Sequence, residues 1–202
     1  MALALFDFDG TITTHETMPK FLHRSVPPHR LVAGWLVLAP VVLGYKLGLV
    51  SGTFVRRVIV RFGYSGVPAA VVDTFGQEFA RNYLPNALRA EAMQRIAWHK
   101  AQGHTVVVVS GGLDAYLRPW CDAQGLELLC SSLQSRGGVL TGRYDGQQCV
   151  LAEKARRVQE CYDLASFPEI YAYGDTPEDQ ELLGVATKKY YQWQQVGAAG
   201  GR

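Results

Sequence analysis

Two aspartates, Asp7 and Asp9, stand two positions apart at the end of a short apolar run and lead into Gly10-Thr11. In an extended chain that spacing points both carboxylates the same way. One can then attack phosphorus while the other protonates the leaving oxygen and later activates water. Gly10 leaves room for the backbone to approach a phosphate. A further acidic group follows late in the chain, at Gly174-Asp175, with Glu178 and Asp179 just behind. Carboxylates that converge repel one another unless a cation sits among them. Hard oxygen donors, completed by water and a substrate phosphate, suit Mg²⁺. The other phosphate oxygens need donors, and Ser110, the N–H groups of Gly111 and Gly112, and Lys154 are the candidates. Lys154 opens a predicted helix, whose N-terminal end also favours an anion.

Strands must bring these residues together. Residues 2–6 read as a buried strand ending abruptly at Asp7. The four valines at 106–109 form a strand buried on both faces, as in a parallel sheet, and it ends in Ser110-Gly111-Gly112. A helix over 113–124 stops at Gly125, and 126–131 is the next strand. Gly137-Gly138, between Leu133 and Tyr144, predicts a β-hairpin. A helix over 152–162, a strand over 169–173 and a short helix over 178–183 follow, and 197–202 is expected to fray. Between 17 and 88 the pattern is helical, broken at Pro27-Pro28, Pro40, Gly63, Gly66-Val67-Pro68 and Pro85. Helices are expected over 73–83 and 86–102. Strands alternating with helices imply an α/β fold with a doubly wound parallel sheet. Such sheets bind ligands beyond the carboxyl ends of their strands, where three strand ends here deliver carboxylates and a hydroxyl.

The bulk numbers exclude other classes. At 202 residues, 48% hydrophobic and 19% charged, the chain is a folded globular protein. A net charge of +2, with no Lys/Arg run longer than two, gives no push toward nucleic acid. Cys121, Cys130, Cys149 and Cys161 form no C-x-x-C pair and read as reduced, mostly buried thiols. The start carries no signal-peptide pattern, so the expected compartment is the cytoplasm.

Together these residues resemble the haloacid dehalogenase (HAD) superfamily. Its D-x-D-x-T motif is matched by Asp7-Phe8-Asp9-Gly10-Thr11, its strand-end Ser/Thr by Ser110, its Lys by Lys154, and its acidic G-D-x-x-x-D cluster by Gly174-Asp175-Thr176-Pro177-Glu178-Asp179. The motifs keep the family's order and span nearly the whole chain. The long gap between the first two resembles the phosphoserine-phosphatase-like branch, with a helical cap over 17–88 inserted into a HAD-like Rossmannoid core over 1–16 and 89–202. The resemblance implies a Mg²⁺-dependent phosphatase with a phosphoaspartyl intermediate on Asp7 and Asp9 as general acid/base. It implies Mg²⁺ bound by Asp7, the backbone carbonyl of Asp9, and Asp175, and the phosphoryl group held by Thr11, Ser110, Gly111 and Lys154. Asp179 would support the metal shell. Glu178 departs from the Asn often found there. In such proteins an acidic residue at Glu16 can face the substrate; a solvated or capping Glu16 is the other reading. Arg56, Arg57 and Arg61 read as a solvated helix face ahead of a substrate contact, and His15 as a neutral loop residue.

Residues 31–50 are apolar apart from Lys46, nearly the length of a membrane span. A complete span would part Asp7 from Ser110 and Asp175, so it is incompatible with one assembled site. Packing in the core of the cap is the first expectation. An apolar cap face at the inner membrane surface is the second, and a re-entrant hairpin kinked at Pro40 the third. The expected substrate is a small-molecule phosphate monoester; a lysophospholipid or phospholipid phosphate, of the phosphatidylglycerophosphate kind, is the alternative. Receiver-like signalling modules also use acidic, Ser/Thr and Lys groups, but the second carboxylate at Asp9 should discharge a phosphate that a receiver would hold. A phosphotransferase shares the same residues.

Overall fold

A computed structural model describes residues 1–197; residues 198–202, most of the tail expected to fray, lie outside it. The central sheet has the order β3-β2-β1-β6-β7-β8. Its strands are β1 (Leu3–Phe6), β2 (Thr105–Leu113), β3 (Glu127–Ser131), β6 (Ile170–Gly174), β7 (Lys188–Tyr191) and β8 (Gln194–Val196). All neighbours pair in parallel except β7 with the edge strand β8. This is the doubly wound α/β sheet expected from the strand–helix alternation. Strands β7 and β8 were not foreseen, because Lys188-Lys189-Tyr190-Tyr191 lacks an apolar alternation and lies half-buried.

The period-2 pattern of β1 feeds two cores. Ala4 and Phe6 join one cluster with Val106, Val108, Ile96, Leu117 and Trp120; Leu3 and Leu5 join the other with Val107, Val109, Val158 and Leu182. Helices α6 (Ala90–Ala101) and α7 (Asp114–Gln124) cover the first face, and α8 (Ala152–Cys161) and α9 (Gln180–Gly184) the second. The valines at 106–109 are 0–5% exposed, and each such burial stabilises the fold by roughly 1.5 kcal/mol or more. The short helix expected over 178–183 is a 3₁₀ turn, Pro177–Asp179, running into α9.

Helices α1 (Met18–Ser25), α2 (Pro28–Lys46), α3 (Gly52–Tyr64), α4 (Ala69–Asn82) and α5 (Leu84–Ala87) lie between β1 and β2. The chain leaves and re-enters through one neck, where Thr13 pairs antiparallel with Leu88 and Arg89 N–H donates to the Ile12 carbonyl. That pairing pulls Leu88 into an extended conformation and splits the single helix expected over 86–102 into α5 and α6. The hairpin β4 (Leu133–Arg136) and β5 (Val139–Tyr144) forms as expected but stands apart from the main sheet. It packs on the insert: Gly66 N–H donates to the Leu140 carbonyl, Leu140 N–H to Val67, and Ala69 N–H to Gly138.

Insert and core also meet where α4 crosses α7. A Cβ on Gly76 would lie 1.9 Å from the Ala115 carbonyl oxygen, which is backbone and cannot yield. Gly76→Ala is therefore expected to destabilise the protein by ~3 kcal/mol, against a gain of under 1 kcal/mol from helix propensity. A urea unfolding midpoint equal to or above the native one would contradict this close approach.

Helix α2 departs from expectation twice. It bends by 51° between its segments Pro28–Gly34 and Leu36–Lys46, one turn before Pro40 rather than at it. The proline removes the hydrogen bond that the Leu36 carbonyl would accept and its ring presses on that carbonyl, so the distortion falls toward the preceding turn. Nor does α2 serve as the core of the insert. Val32, Leu36, Val37 and Leu43 are exposed, because α3 and the end of α1 cover only one side of a helix that is apolar on most sides. Among the described residues no single helix is long and apolar enough to cross a membrane; the two α2 segments reach that length and hydropathy only together.

Candidate active site

Strands β2, β1 and β6 lie side by side at the middle of the sheet, and their carboxyl ends converge. A small, half-open pocket of about 50 Å³ forms there, lined by Asp7, Asp9, Glu16, Arg56, Ser110 and Lys154 among others. Asp7 leaves β1 extended, with φ −65° and ψ 157°, and the chain then winds through one turn, Phe8–Ile12. Gly10 makes that turn possible. Its φ is +83°, and a Cβ there would meet Asp175 Oδ2 at 2.2 Å, so both conformation and space demand glycine.

Asp7, Asp175 and Asp179 each place a carboxylate oxygen within 4.8 Å of the others. Lys154, from the first turn of α8, reaches between two of them. Its ammonium donates to Asp7 Oδ1 at 2.5 Å and to Asp179 Oδ1 at 2.6 Å, and all three residues are buried. Asp179 is fully engaged, because its Oδ2 accepts from the N–H groups of Asp175 and Thr176 and from the Thr176 hydroxyl. Among the described residues Asp7 Oδ2 and Asp175 Oδ2 have no protein partner, since Lys154 donates to Asp7 Oδ1 and Thr11 Oγ1 to Asp175 Oδ1 at 3.0 Å. Thr11 thus orients Asp175 instead of reaching the pocket as a phosphate donor.

The charges are held against their environment. Burial pushes the Asp7 carboxyl up to about 8, although Lys154 works in the opposite direction. Burial likewise raises Asp9 to about 7, helped by the negative Glu16 and opposed by its hydrogen bonds from Thr17. Asp175 is raised by burial, with the Thr11 hydrogen bond opposing. Burial disfavours the charge on Lys154, but Asp7 and Asp179 outweigh it and hold the ammonium above its ordinary range.

Asp9 turns toward the insert. Its Oδ1 accepts from the Thr17 hydroxyl at 2.6 Å and the Thr17 N–H at 2.9 Å, at the start of α1. A carboxyl pinned this way, with a pKa near neutrality, suits proton transfer. Ser110 is buried, and its Oγ accepts from Gly112 N–H at 3.0 Å, which leaves its own proton to donate. Gly111 lines the same pocket.

Two residues matter more than the sequence reading allowed. Arg56 lines the pocket rather than a solvated face, and its Nη2 sits 3.1 Å from both oxygens of Glu178. Its Nη1 is buried without a partner. Glu178 thereby gains a role, as the core end of a bridge to the insert. No signal in the sequence pairs these two positions, which lie 122 residues apart. Glu16 sits at the exposed side of the pocket. Arg57 and Arg61 line a separate cavity beside the hairpin, and His15 bonds to Thr14 and Tyr83. The four thiols are free, with Cys161 alone exposed.

The family model for haloacid dehalogenase-like hydrolases matches residues 4–184. Protein CicA of Caulobacter vibrioides is 30% identical over 195 residues, covering 94% of this chain and 85% of that protein. A crystal structure of a protein of unknown function from Bordetella pertussis Tohama I superposes with a TM-score of 0.80 at 23% identity, over 94% of this chain and 89% of that one. A phospho-aspartyl intermediate analogue of phosphoserine phosphatase superposes with a TM-score of 0.67 at 21% identity, over 94% and 85% of the two chains.

Proposed function

Because the chain belongs to the haloacid dehalogenase-like hydrolase family, we propose that it is a Mg²⁺-dependent phosphatase that hydrolyses a small-molecule phosphate monoester through a phosphoaspartate on Asp7. The observation that carries this reading is the buried Lys154 ammonium set between Asp7 and Asp179, beside two carboxylates whose oxygens are free to hold a cation. The donor set is all oxygen, which fits a hard divalent ion. Asp7, Asp175 and the Asp9 carbonyl would hold it, with Asp179 acting through Lys154 and the Asp175 backbone. Bound there, Mg²⁺ would neutralise charge on the transferring phosphoryl group.

The chain's own groups supply the rest. Asp7 attacks phosphorus through a carboxylate oxygen, and the bond from phosphorus to the leaving oxygen breaks. Asp9 gives that oxygen its proton. Asp9, now ionised, takes a proton from water, whose oxygen attacks the phosphoaspartate and releases phosphate and Asp7. Ser110, the Gly111 N–H and Lys154 hold the equatorial oxygens, where charge accumulates. Glu16 and Arg56, at the side facing the insert, contact the leaving group. Hydrolysis of a lipid phosphate is a second reading, favoured by the exposed apolar side of α2.

Phosphate release from an aryl phosphate in EDTA and in excess Mg²⁺ tests the proposal, followed by phosphoserine, sugar phosphates and lysophosphatidate. Turnover only with metal is expected; turnover undiminished in EDTA would contradict it.

Metal affinity should also follow pH. A carboxyl that the folded chain holds protonated to about pH 8 must release its proton before a cation binds, so affinity falls as pH drops below about 8. The same group loses its proton near 3.8 when unfolded, so the metal-free fold loses stability as pH rises from about 4 to 8. Mg²⁺ at about a hundred times its Kd should then restore ~2.7 kcal/mol at pH 8, roughly 5–10 °C in Tm, and less at pH 6 for the same total metal. An equal shift at both pH values would contradict the protonated site.

A further inference from the structure

We propose that the outer side of α2 seats this protein on an anionic lipid bilayer. Among the described residues of α2 only Gly34 is buried, and no described side chain of the helix is. Val32 is 74% exposed, Leu36 83%, Leu43 58%, and beyond the helix end Leu47 63%. Leu36 and Leu43, seven apart on the second segment of α2, share one face and form a stripe, with Val32 exposed on the first segment and Leu47 just past the end. Behind the stripe, α2 meets α3 across an apolar groove of about 460 Å³. A continuous apolar surface of this kind is normally covered.

Charge says what covers it. Between Glu16 and Asp73 there is no acidic residue, while Lys20, Arg24, Arg30, Lys46, Arg56, Arg57 and Arg61 are basic. Lys46 lines the groove at the far end of α2, exposed Arg61 stands beside exposed Val37 where α2 meets α3, and Arg30 is held against the Phe62, Gly63 and Ser65 carbonyls. A second copy laid face to face would bring one acid-free basic surface against another. A bilayer rich in anionic lipid supplies acyl chains for the stripe and negative headgroups for its basic surround.

The insert lies in the bilayer surface instead of crossing it. Both its ends return to the core at the Thr13–Leu88 pairing, and α2 is bent by 51°. The start of α3, where Tyr45 of α2 packs, stands near the catalytic pocket: a Cβ on Gly52 would lie 3.6 Å from the Tyr45 ring and 3.8 Å from Glu178 Oε1. Docking would set the pocket mouth close to the lipid surface.

The test is flotation of the full chain with phosphatidylcholine vesicles, with and without phosphatidylglycerol, over a salt series. It reads binding and is independent of phosphatase chemistry. The native chain should float with the anionic vesicles alone, progressively less as salt rises. Leu36→Glu with Leu43→Glu should weaken binding at least about tenfold, with Tm and aryl phosphate turnover unchanged. If that variant fails to fold, Leu36→Ser with Leu49→Ser replaces it, and the salt series on the native chain stands by itself. Absence of flotation with anionic vesicles, equal flotation with neutral ones, or a native dimer that these substitutions dissociate would each overturn the proposal.

Discussion

Replacing Asp7 with asparagine is expected to lower turnover by about 10⁴-fold or more while leaving the fold intact. Loss of a nucleophile that acts together with other groups removes most of the catalysis those groups jointly supply. Asparagine keeps the size and planarity of the side chain, and its oxygen can still accept the hydrogen bond that Asp7 Oδ1 takes from Lys154 at 2.5 Å. It cannot carry the negative charge that attacks phosphorus. Lys154 retains its ion pair with Asp179, so the ammonium is not stranded. The unfolding midpoint should stay within about 1 kcal/mol of native at pH 6, where burial already holds Asp7 largely uncharged. Initial rates with saturating Mg²⁺, beside a thermal melt, check both halves. A folded Asp7→Asn protein with near-native turnover would show that another group attacks phosphorus.

The second large effect is expected from Lys154→Met, which keeps the aliphatic stem and removes the charge. Two buried carboxylates, Asp7 and Asp179, would lose their common partner. Removing one member of a buried ion pair costs ~3–5 kcal/mol, because the remaining charge is left uncompensated. The sign of the pH dependence follows from the same geometry. Without the ammonium, burial and the neighbouring Asp179 charge raise the Asp7 carboxyl further, and its protonation relieves part of the cost. Destabilisation is therefore larger at pH 8 than at pH 6, and Mg²⁺ recovers part of it. Turnover should fall by about 10²–10⁴-fold at either pH, as when a donor to the developing phosphoryl charge is removed. Urea titrations at the two pH values, with and without metal, check this. A variant as stable as native at pH 8 would mean that the ammonium does not hold the two carboxylates.

The sheet and the strand-end residues were legible because short-range signals carry them. The valines at 106–109, the abrupt stop at Asp7 and the Gly174-Asp175 end each mark a buried strand meeting a loop, and the parallel sheet then aligns those ends. What was not legible depends on which distant surfaces meet. Thr11 reads as a phosphate donor within its motif but spends its proton on Asp175, 164 residues away. Arg56 reads as one exposed arginine among three, and only the packing of α3 over the core brings it to Glu178. The apolar stretch at 31–50 gives no account of its own surroundings; its exposure follows from the small size of the insert, where α3 offers one side of cover. The Gly76 contact with α7 is equally silent, since any helix can carry a glycine.

The central claim is that Asp7 becomes phosphorylated during turnover. Enzyme quenched in the steady state with a good substrate and treated with borohydride would have any phosphoaspartate reduced to homoserine, readable by peptide mass spectrometry. The account predicts that mass change at Asp7, dependent on substrate and Mg²⁺ and absent in Asp7→Asn. Reduction at Asp9, Asp175 or Asp179 instead, or an unmodified Asp7 in an enzyme shown to be turning over with its dephosphorylation slowed, would contradict it.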